Sequence, residues 1–270
     1  MCGIFGFISR AGEGPDLARL RRIALITQTR GEHAFGLAWL DRQNRIQTFK
    51  RPGPAEDHLD ALEQCRDAIV VVGHCRLATH GSPQDNRNNH PHPAGRGYLV
   101  HNGVVHNHLD LAQRYGLRPR SACDSEVLGL LMARCPGLLV QRVAWTASQT
   151  CGDLALLGLW RKPARLLVAR RGRPLHFGEG RTGFYFASLP EGLPGRVQAI
   201  TDHSVHVLTY ESGALHLDSR AIAEPVGTAD QNRLHFNDGQ SGISIPVPPT
   251  IAKSMQIPAD LPCMLARRGV

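Results

Sequence analysis

Two groups of short strand-like segments, with helical segments between them, constrain the fold more than any other feature of the chain. In the first group, residues 3–8 and 68–75 are almost continuously apolar, which is typical of strands buried on both faces. Residues 36–40 and 46–49 form a predicted hairpin. In the second group, glycine and proline separate successive strands at 153–160, 165–170, 174–177, 184–188 and 203–210.

Helical spacing of apolar residues predicts the remaining elements. Residues 16–27 follow the start signal Pro15-Asp16, and 56–66 has a similar pattern. Asp124 precedes a third apolar stripe and is a candidate N-cap. Mostly antiparallel strands in two groups, with helices between them, favour an α+β layered sandwich.

Composition excludes several classes of protein. The apolar fraction of 42% and the charged fraction of 20% are ordinary for a globular domain. No apolar run approaches the ~18 residues that a membrane span needs, and the N-terminus lacks a secretory leader, so we expect a cytoplasmic protein without membrane contact. The net charge of +8 comes from scattered arginines, which does not favour a nucleic-acid partner. Seven cysteines without a C-x-x-C pair do not form a disulfide scaffold.

The last fifty residues differ from the rest of the chain. They are rich in proline and weakly periodic, most clearly in ISIPVPPT at 243–250. We therefore expect one domain over residues 2–220 and a C-terminal extension over 221–270 that wraps the domain or docks a partner.

The most informative chemical feature is a cysteine directly after the initiator methionine. A small residue at position 2 permits removal of Met1, which leaves Cys2 with a thiol and a free α-amine. That amine has an ordinary pKa of about 7.7–8.0, so it is able to take the thiol proton near neutral pH. Without other evidence, packing of Cys2 beside Phe5 is the simpler interpretation.

Further motifs follow Cys2 in a fixed order over about residues 2–190. They are C-G-I-F-G from Cys2, R-G-x-x-x-x-G from Arg30, G-H-C-R-L-A-T-H-G from Gly73, N-N-H-P-H from Asn88, H-N-G from His101, D-S-E from Asp124, R-P-L-x-x-G from Arg173 and F-A-S from Phe186. The series resembles the glutaminase domains of class II glutamine amidotransferases, which are N-terminal-nucleophile hydrolases, and is similar to that of glucosamine-phosphate synthase. The resemblance implies a four-layer αββα sandwich of two mostly antiparallel sheets.

The resemblance also implies roles for individual residues in hydrolysis of glutamine. Cys2 would be the nucleophile, with the Asn102 side chain and the Gly103 backbone N–H as the oxyanion hole. The α-carboxylate of glutamine would be bound by Arg76, with Thr79 and His80 beside it, and the α-ammonium by Asp124. The supporting residues would be Arg30, Gly31 and His101.

Two positions depart from the synthase pattern. Leu77 replaces the aromatic residue that follows the carboxylate-binding arginine, which puts the ammonia-coupling device in question but not hydrolysis. His33 replaces a frequent aspartate and changes the charge of a loop near the site.

The ammonia acceptor is left open by the sequence. About 80 residues follow the last motif, too few for the synthase domain fused to this domain in well-known relatives. We therefore expect a glutaminase subunit that supplies a separate synthase and needs no cofactor; homo-oligomerisation is left open.

Other interpretations of the same residues are kept. The chain could act on another amide or serve as a non-catalytic ligand-sensing module. Asn102-Gly103 is also a common hairpin turn. The histidines and cysteines show no recognised zinc spacing, so no metal is expected.

Overall fold

The structure, a computed structural model, describes residues 1–223 of the chain. The extension expected over 221–270 therefore lies almost wholly outside the described residues. In chain order the strands are β1 (Gly3–Ser9), β2 (Ala34–Asp41), β3 (Ile46–Pro52), β4 (Ala68–Arg76), β5 (His92–Ala94), β6 (Gly97–Gly103), β7 (Leu154–Trp160), β8 (Ala164–Arg171), β9 (His176–Glu179), β10 (Gly183–Ala187), β11 (Gln198–Ala199), β12 (Ser204–Glu211) and β13 (Ala214–Ala221).

Helices occupy the segments between the strands. They are α1 (Leu17–Gln28), a 3-10 helix (Ala55–Cys65), α2 (His108–Arg114), α3 (Glu126–Arg134) and α4 (Leu139–Gln149). Asp16 caps α1 by accepting a hydrogen bond from the backbone N–H of Arg19 at 3.1 Å. No helix within residues 1–223 has the length and hydropathy needed to cross a membrane.

The strands form two sheets in which the paired strands are antiparallel. The first has the order β11-β9-β10-β1-β4-β2-β3, and the second has the order β13-β12-β8-β7-β6-β5. Strand β1 lies inside the first sheet, where Gly3 pairs with Cys75 of β4 and Phe5 pairs with Ala187 of β10. The start of the chain is thus fixed by segments far away in sequence.

Alternating side chains divide the protein into four layers. On β1, Ile4 and Ile8 face the second sheet, whereas Phe5 and Phe7 face α1 and the 3-10 helix. Helices α3 and α4 cover the outer face of the second sheet with a separate apolar cluster. The expected αββα sandwich is confirmed.

Several elements differ from the sequence predictions. The helix predicted over 56–66 is a 3-10 helix, interrupted at His58, whose backbone leaves the helical region (φ −131°, ψ 19°). Helix α3 starts after Ser125, and Asp124 does not cap it, so the N-cap interpretation of Asp124 is wrong. Helices α2 and α4 and strands β5, β11 and β13 were not predicted.

Candidate functional site

The candidate site lies at the end of the sandwich where β1 begins and where β4 and β6 end. On β4, Val70 and Val72 face the second sheet, and alternation places His74 and Arg76 on the same face. On β6, Val100 is followed on the same face by Asn102. On both β4 and β6, the side chains that face the layer between the sheets therefore change from apolar to polar at this end of the sandwich.

The sulfur of Cys2 contacts the backbone of Leu77. The Leu77 N–H donates to Sγ at 3.3 Å, and the thiol donates to the Leu77 carbonyl oxygen at 3.4 Å. Burial raises the pKa of the Cys2 thiol, while the Leu77 N–H bond, the N-terminal ammonium and Arg76 act in the opposite direction. A thiol with a raised pKa needs a neighbouring base before it reacts as a thiolate.

Arg30 and Gly31 hold the segment beside Cys2. Arg30 Nε donates to the Cys2 carbonyl oxygen at 2.9 Å. A Cβ at Gly31 would lie 2.5 Å from the backbone nitrogen of Leu77, so only glycine permits this close approach. Gly3 has a similar constraint, since a Cβ added there would lie 2.5 Å from Thr27 Cγ2. The sequence alone did not indicate this close approach.

Arg76 is buried, and its hydrogen-bond partners are uncharged. It donates to Asn89 Oδ1 at 2.8 Å, to the Gly81 carbonyl at 3.1 Å and to the His80 carbonyl. Among residues 1–223, no carboxylate lies within 4.0 Å of its guanidinium nitrogens. A buried guanidinium without a carboxylate partner favours binding of an anion.

Asp124 and His80 lie together on the other side of the site. Asp124 is buried, and its Oδ2 accepts from the backbone N–H of Val105 at 2.7 Å. Its Oδ1 lies 3.7 Å from His80 Nδ1, which is also 3.3 Å from Thr79 Oγ1. Asp124, His80 and Thr79, the three residues expected to bind the ends of glutamine together with Arg76, therefore lie close to one another.

Asn102 and Gly103 end strand β6 in register with β7. Gly103 pairs with Leu154, so the hairpin-turn interpretation is wrong. A Cβ at Gly103 would lie 2.1 Å from the Asp153 carbonyl oxygen, and its φ is +154°. Asn102 is buried, and its Nδ2 has no hydrogen-bond partner among the described residues.

His101 ties the end of β6 to its surroundings. Its Nδ1 lies 2.8 Å from Ser125 Oγ, and its carbonyl accepts from His74 Nε2 at 3.0 Å. Burial lowers the pKa of His101 to about 4, although Asp124 acts to raise it. The ring is therefore neutral near pH 7 and suited to a structural role.

One cluster has the donor atoms for a metal ion. His90, His92 and Cys123 are buried, and one potential ligand atom of each lies within 4.8 Å of the others. However, Lys50 Nζ donates to the Asn89 carbonyl at 2.9 Å in the same region, and burial followed by the Lys50 charge lowers the pKa of His92 to about 3. A positive charge beside the cluster opposes the binding of a cation. The expectation that the protein holds no metal stays a prediction.

Comparison with known proteins gives the same family. A family model described as a glutamine amidotransferase domain matches residues 74–194. The isomerizing glutamine–fructose-6-phosphate aminotransferase of Aliivibrio fischeri is 36% identical over 200 residues, which are 70% of this chain and 32% of that protein. The chain contains a class II glutamine amidotransferase domain. The Aquifex aeolicus enzyme of the same name is 31% identical over 231 residues, 78% of this chain and 38% of that protein.

Solved structures share the fold of this amidotransferase domain. The glutamine phosphoribosylpyrophosphate amidotransferase of B. subtilis superimposes with a TM-score of 0.66 at 22% identity, covering 82% of this chain and 49% of that one. A glutamine aminotransferase class-II domain protein from Silicibacter pomeroyi has a TM-score of 0.56 at 16% identity, covering 82% of this chain and 100% of that one. The chain spans about a third of the length of the curated relatives it matches.

Proposed function

We propose that this amidotransferase domain hydrolyses the side-chain amide of L-glutamine through a thioester on Cys2 and supplies the ammonia to a separate synthase. The observation that carries the proposal is the buried Asn102 amide, which lacks a partner among the described residues at the end of the sandwich where Cys2 lies. An amide held without a partner is suited to an oxyanion that exists only during the reaction.

The first chemical step requires removal of Met1. The free α-amine of Cys2 then takes the thiol proton, and the sulfur attacks the carboxamide carbon of glutamine. The oxygen of the tetrahedral intermediate accepts hydrogen bonds from Asn102 Nδ2 and the Gly103 backbone N–H. The α-ammonium returns its proton to the leaving nitrogen, and ammonia and a γ-glutamyl thioester result.

The second step reverses these roles. The α-amine takes a proton from water, and the hydroxide oxygen attacks the thioester carbon. The same two donors bind the oxyanion, and the carbon–sulfur bond breaks to release glutamate. Cys2 recovers its proton from the α-ammonium, so the enzyme is regenerated without a cofactor.

The binding groups fit the two ends of an α-amino acid. Arg76 would pair with the α-carboxylate, because the present hydrogen-bond partners of its guanidinium are all uncharged. Thr79 and His80 would add hydrogen bonds to the same carboxylate. Asp124 would pair with the α-ammonium through Oδ1, because Oδ2 is bonded to Val105 N–H. Arg30, Gly31 and His101 would position these groups.

The proposal extends to organisation. The names of the curated relatives join glutamine to a sugar-phosphate acceptor, and this chain matches about a third of their length. We propose that residues 2–220 form the glutaminase domain and that 221–270 dock the synthase, in the cytoplasm. Co-purification of the full-length chain tests the partner: a lone protein with full glutamine turnover would favour a free glutaminase.

The chemistry is tested by intact mass after treatment with 6-diazo-5-oxo-L-norleucine. We expect one adduct on a chain that lacks Met1, and no adduct in Cys2→Ala. The matched control is Cys151→Ala, which removes an exposed cysteine and should leave both the adduct and turnover unchanged. Retention of Met1 in an active enzyme would contradict the mechanism.

A panel of amides separates the remaining alternatives. Glutamine, asparagine and simple acyl amides are compared at equal concentration. Turnover of glutamine alone supports the proposal, whereas faster turnover of an acyl amide would favour another amidohydrolase. Tight glutamine binding without turnover would favour a ligand-sensing module.

A further inference from the structure

His33 makes a pair of hydrogen bonds to the end of β4. Its backbone N–H donates to the Arg76 carbonyl oxygen at 2.9 Å, and its Nδ1 accepts from the Ala78 N–H at 3.0 Å. Its own carbonyl oxygen accepts from Gly53 N–H at 3.0 Å, which ties the loop before β2 to the segment after β3. The backbone of His33 is therefore fixed by Gly53, while its N–H and its side chain hold the segment from Arg76 to Ala78.

The residue enclosed by this pair of bonds is Leu77, whose backbone contacts the Cys2 sulfur. Its N–H and carbonyl lie 3.3 Å and 3.4 Å from Sγ. From Leu77 the chain leaves β4 and enters irregular structure. The backbone bonds of β4 therefore cannot hold the Leu77 carbonyl and the Ala78 N–H in place.

We propose that His33 is a positioning residue whose imidazole holds the Leu77 peptide against the nucleophilic sulfur. The proposal rests on the proposed function of Cys2. An imidazole accepts at Nδ1 only when that nitrogen carries no proton, so the working form is the Nε2–H tautomer. The side chain is exposed, and its Nδ1 bonds to Ala78 N–H, while the hydrogen bonds of the sulfur go to Leu77, so the effect of His33 on Cys2 passes through Leu77.

The same contact acts on the substrate-binding segment. Arg76 precedes Leu77, and Thr79 and His80 follow Ala78 directly. Loss of the Ala78 bond would allow this segment to move away from Cys2 and from Asp124. Both the reactivity of the sulfur and the apparent affinity for glutamine then depend on His33.

Two amide variants separate positioning from general polarity. In His33→Asn, Oδ1 occupies nearly the place of Nδ1 and accepts from Ala78 N–H. In His33→Gln, the amide oxygen lies one bond farther out, near the place of Nε2. His33→Ala removes the acceptor altogether, and Glu32→Ala controls for a change in a neighbouring exposed side chain.

The first measurement is the rate of alkylation of Cys2 by iodoacetamide, with the modified peptide identified by mass. We expect a change of about three- to tenfold in His33→Ala and in His33→Gln, the size of one lost hydrogen bond. His33→Asn and Glu32→Ala should stay within about twofold of the wild type. A rate for His33→Ala equal to that of the wild type would overturn the proposal, and so would equal rates for the Asn and Gln variants.

The second measurement is glutaminase kinetics of the same variants. We expect kcat/KM to fall by about three- to tenfold in His33→Ala and to be restored in His33→Asn, at unchanged Tm. Failure of Asn to restore it would count against positioning. If the wild type proves inactive on glutamine, the proposed function fails, while the alkylation rates still decide whether His33 positions the Leu77 peptide.

Discussion

The layer between the two sheets has an apolar part and a polar part, and both are buried. In the apolar part, Ile4 and Val72 of the first sheet meet Leu157 and Leu166 of the second. In the polar part, the same inward rows continue as His74, Arg76 and Asn102.

Among residues 1–223, the polar part contains buried polar atoms without hydrogen-bond partners. Burial of aliphatic side chains stabilises the apolar part. In the polar part, Asn102 Nδ2 and both ring nitrogens of the neighbouring His90 lack hydrogen-bond partners among the described residues. Each buried unpaired group costs about 1–3 kcal/mol of stability. The comparison teaches that the apolar part stabilises the fold, while the polar part retains buried unpaired groups that the proposed reaction would use.

The largest effect that separates the two parts is expected in the apolar one. Leu157→Ala should lower the free energy of unfolding by about 2–5 kcal/mol, because a fully buried side chain leaves a cavity. Urea denaturation measures the change, and kcat of the folded enzyme should stay unchanged. A large fall in kcat would break the division between stability and catalysis.

The converse experiment changes the polar part. Asn102→Ala should lower kcat by about 10²–10³, because the proposed mechanism then lacks one oxyanion donor. Its free energy of unfolding should fall less than that of Leu157→Ala, since Nδ2 has no hydrogen-bond partner among residues 1–223 to lose. Leu157→Ala should mainly affect stability and Asn102→Ala should mainly affect kcat. A loss of stability without loss of rate in Asn102→Ala would contradict the proposed role of Asn102.

Acid should destabilise the protein through the buried histidines. Burial lowers the pKa of His74 to about 3 and of His101 to about 4, whereas an unfolded histidine titrates near 6.5. Between about pH 6.5 and 4 the unfolded state therefore binds protons that the folded state does not, and stability falls as the pH is lowered. Each histidine lowers the free energy of unfolding by at most about 1.4 kcal/mol for each pH unit of acidification, and neither histidine changes it above pH 7.

Denaturation at several pH values measures this slope. His74→Asn should reduce the slope by about one proton. His216→Asn, at an exposed position on β13, should leave it unchanged. Equal slopes for the wild type and His74→Asn would show that His74 is not the source.

The smallest expected effect concerns the His90, His92 and Cys123 cluster. Elemental analysis should find no stoichiometric zinc or copper in the purified protein, and a chelator should leave Tm unchanged, because the Lys50 charge opposes a cation there. A bound metal would mean that the polar part also stabilises the fold, which would weaken its contrast with the apolar part.

Local pattern predicted the strands that carry the site. The apolar run 68–75 matches β4, because a strand buried on both faces needs no distant information to be recognised. Helix α4 also had a readable pattern, with Leu139, Val143 and Ala147 at helical spacing, but it was missed. Strand β13 had little signal, because most of its side chains are exposed.

The contacts within the site were beyond sequence reasoning. The motifs identified Cys2 and Arg76, but not that the Leu77 backbone contacts the sulfur or that Asn89 holds the guanidinium. The use of Asp124 to bind Val105 N–H, rather than to cap α3, follows from tertiary packing. Pairings between distant segments do not leave a periodic signal in either segment.

The register of β1 has a consequence for biosynthesis. Its partners β4 and β10 end at residues 76 and 187, so β1 cannot complete its pairing until about residue 187 has been synthesised. At about 5–20 residues per second, a ribosome reaches β10 roughly 10–40 s after it makes β1. During that interval β1 lacks its neighbour β10, which leaves the start of the nascent chain more accessible to the peptidase that the proposed mechanism requires. Under the proposed mechanism, a fusion partner placed ahead of Met1 would leave a folded but inert product.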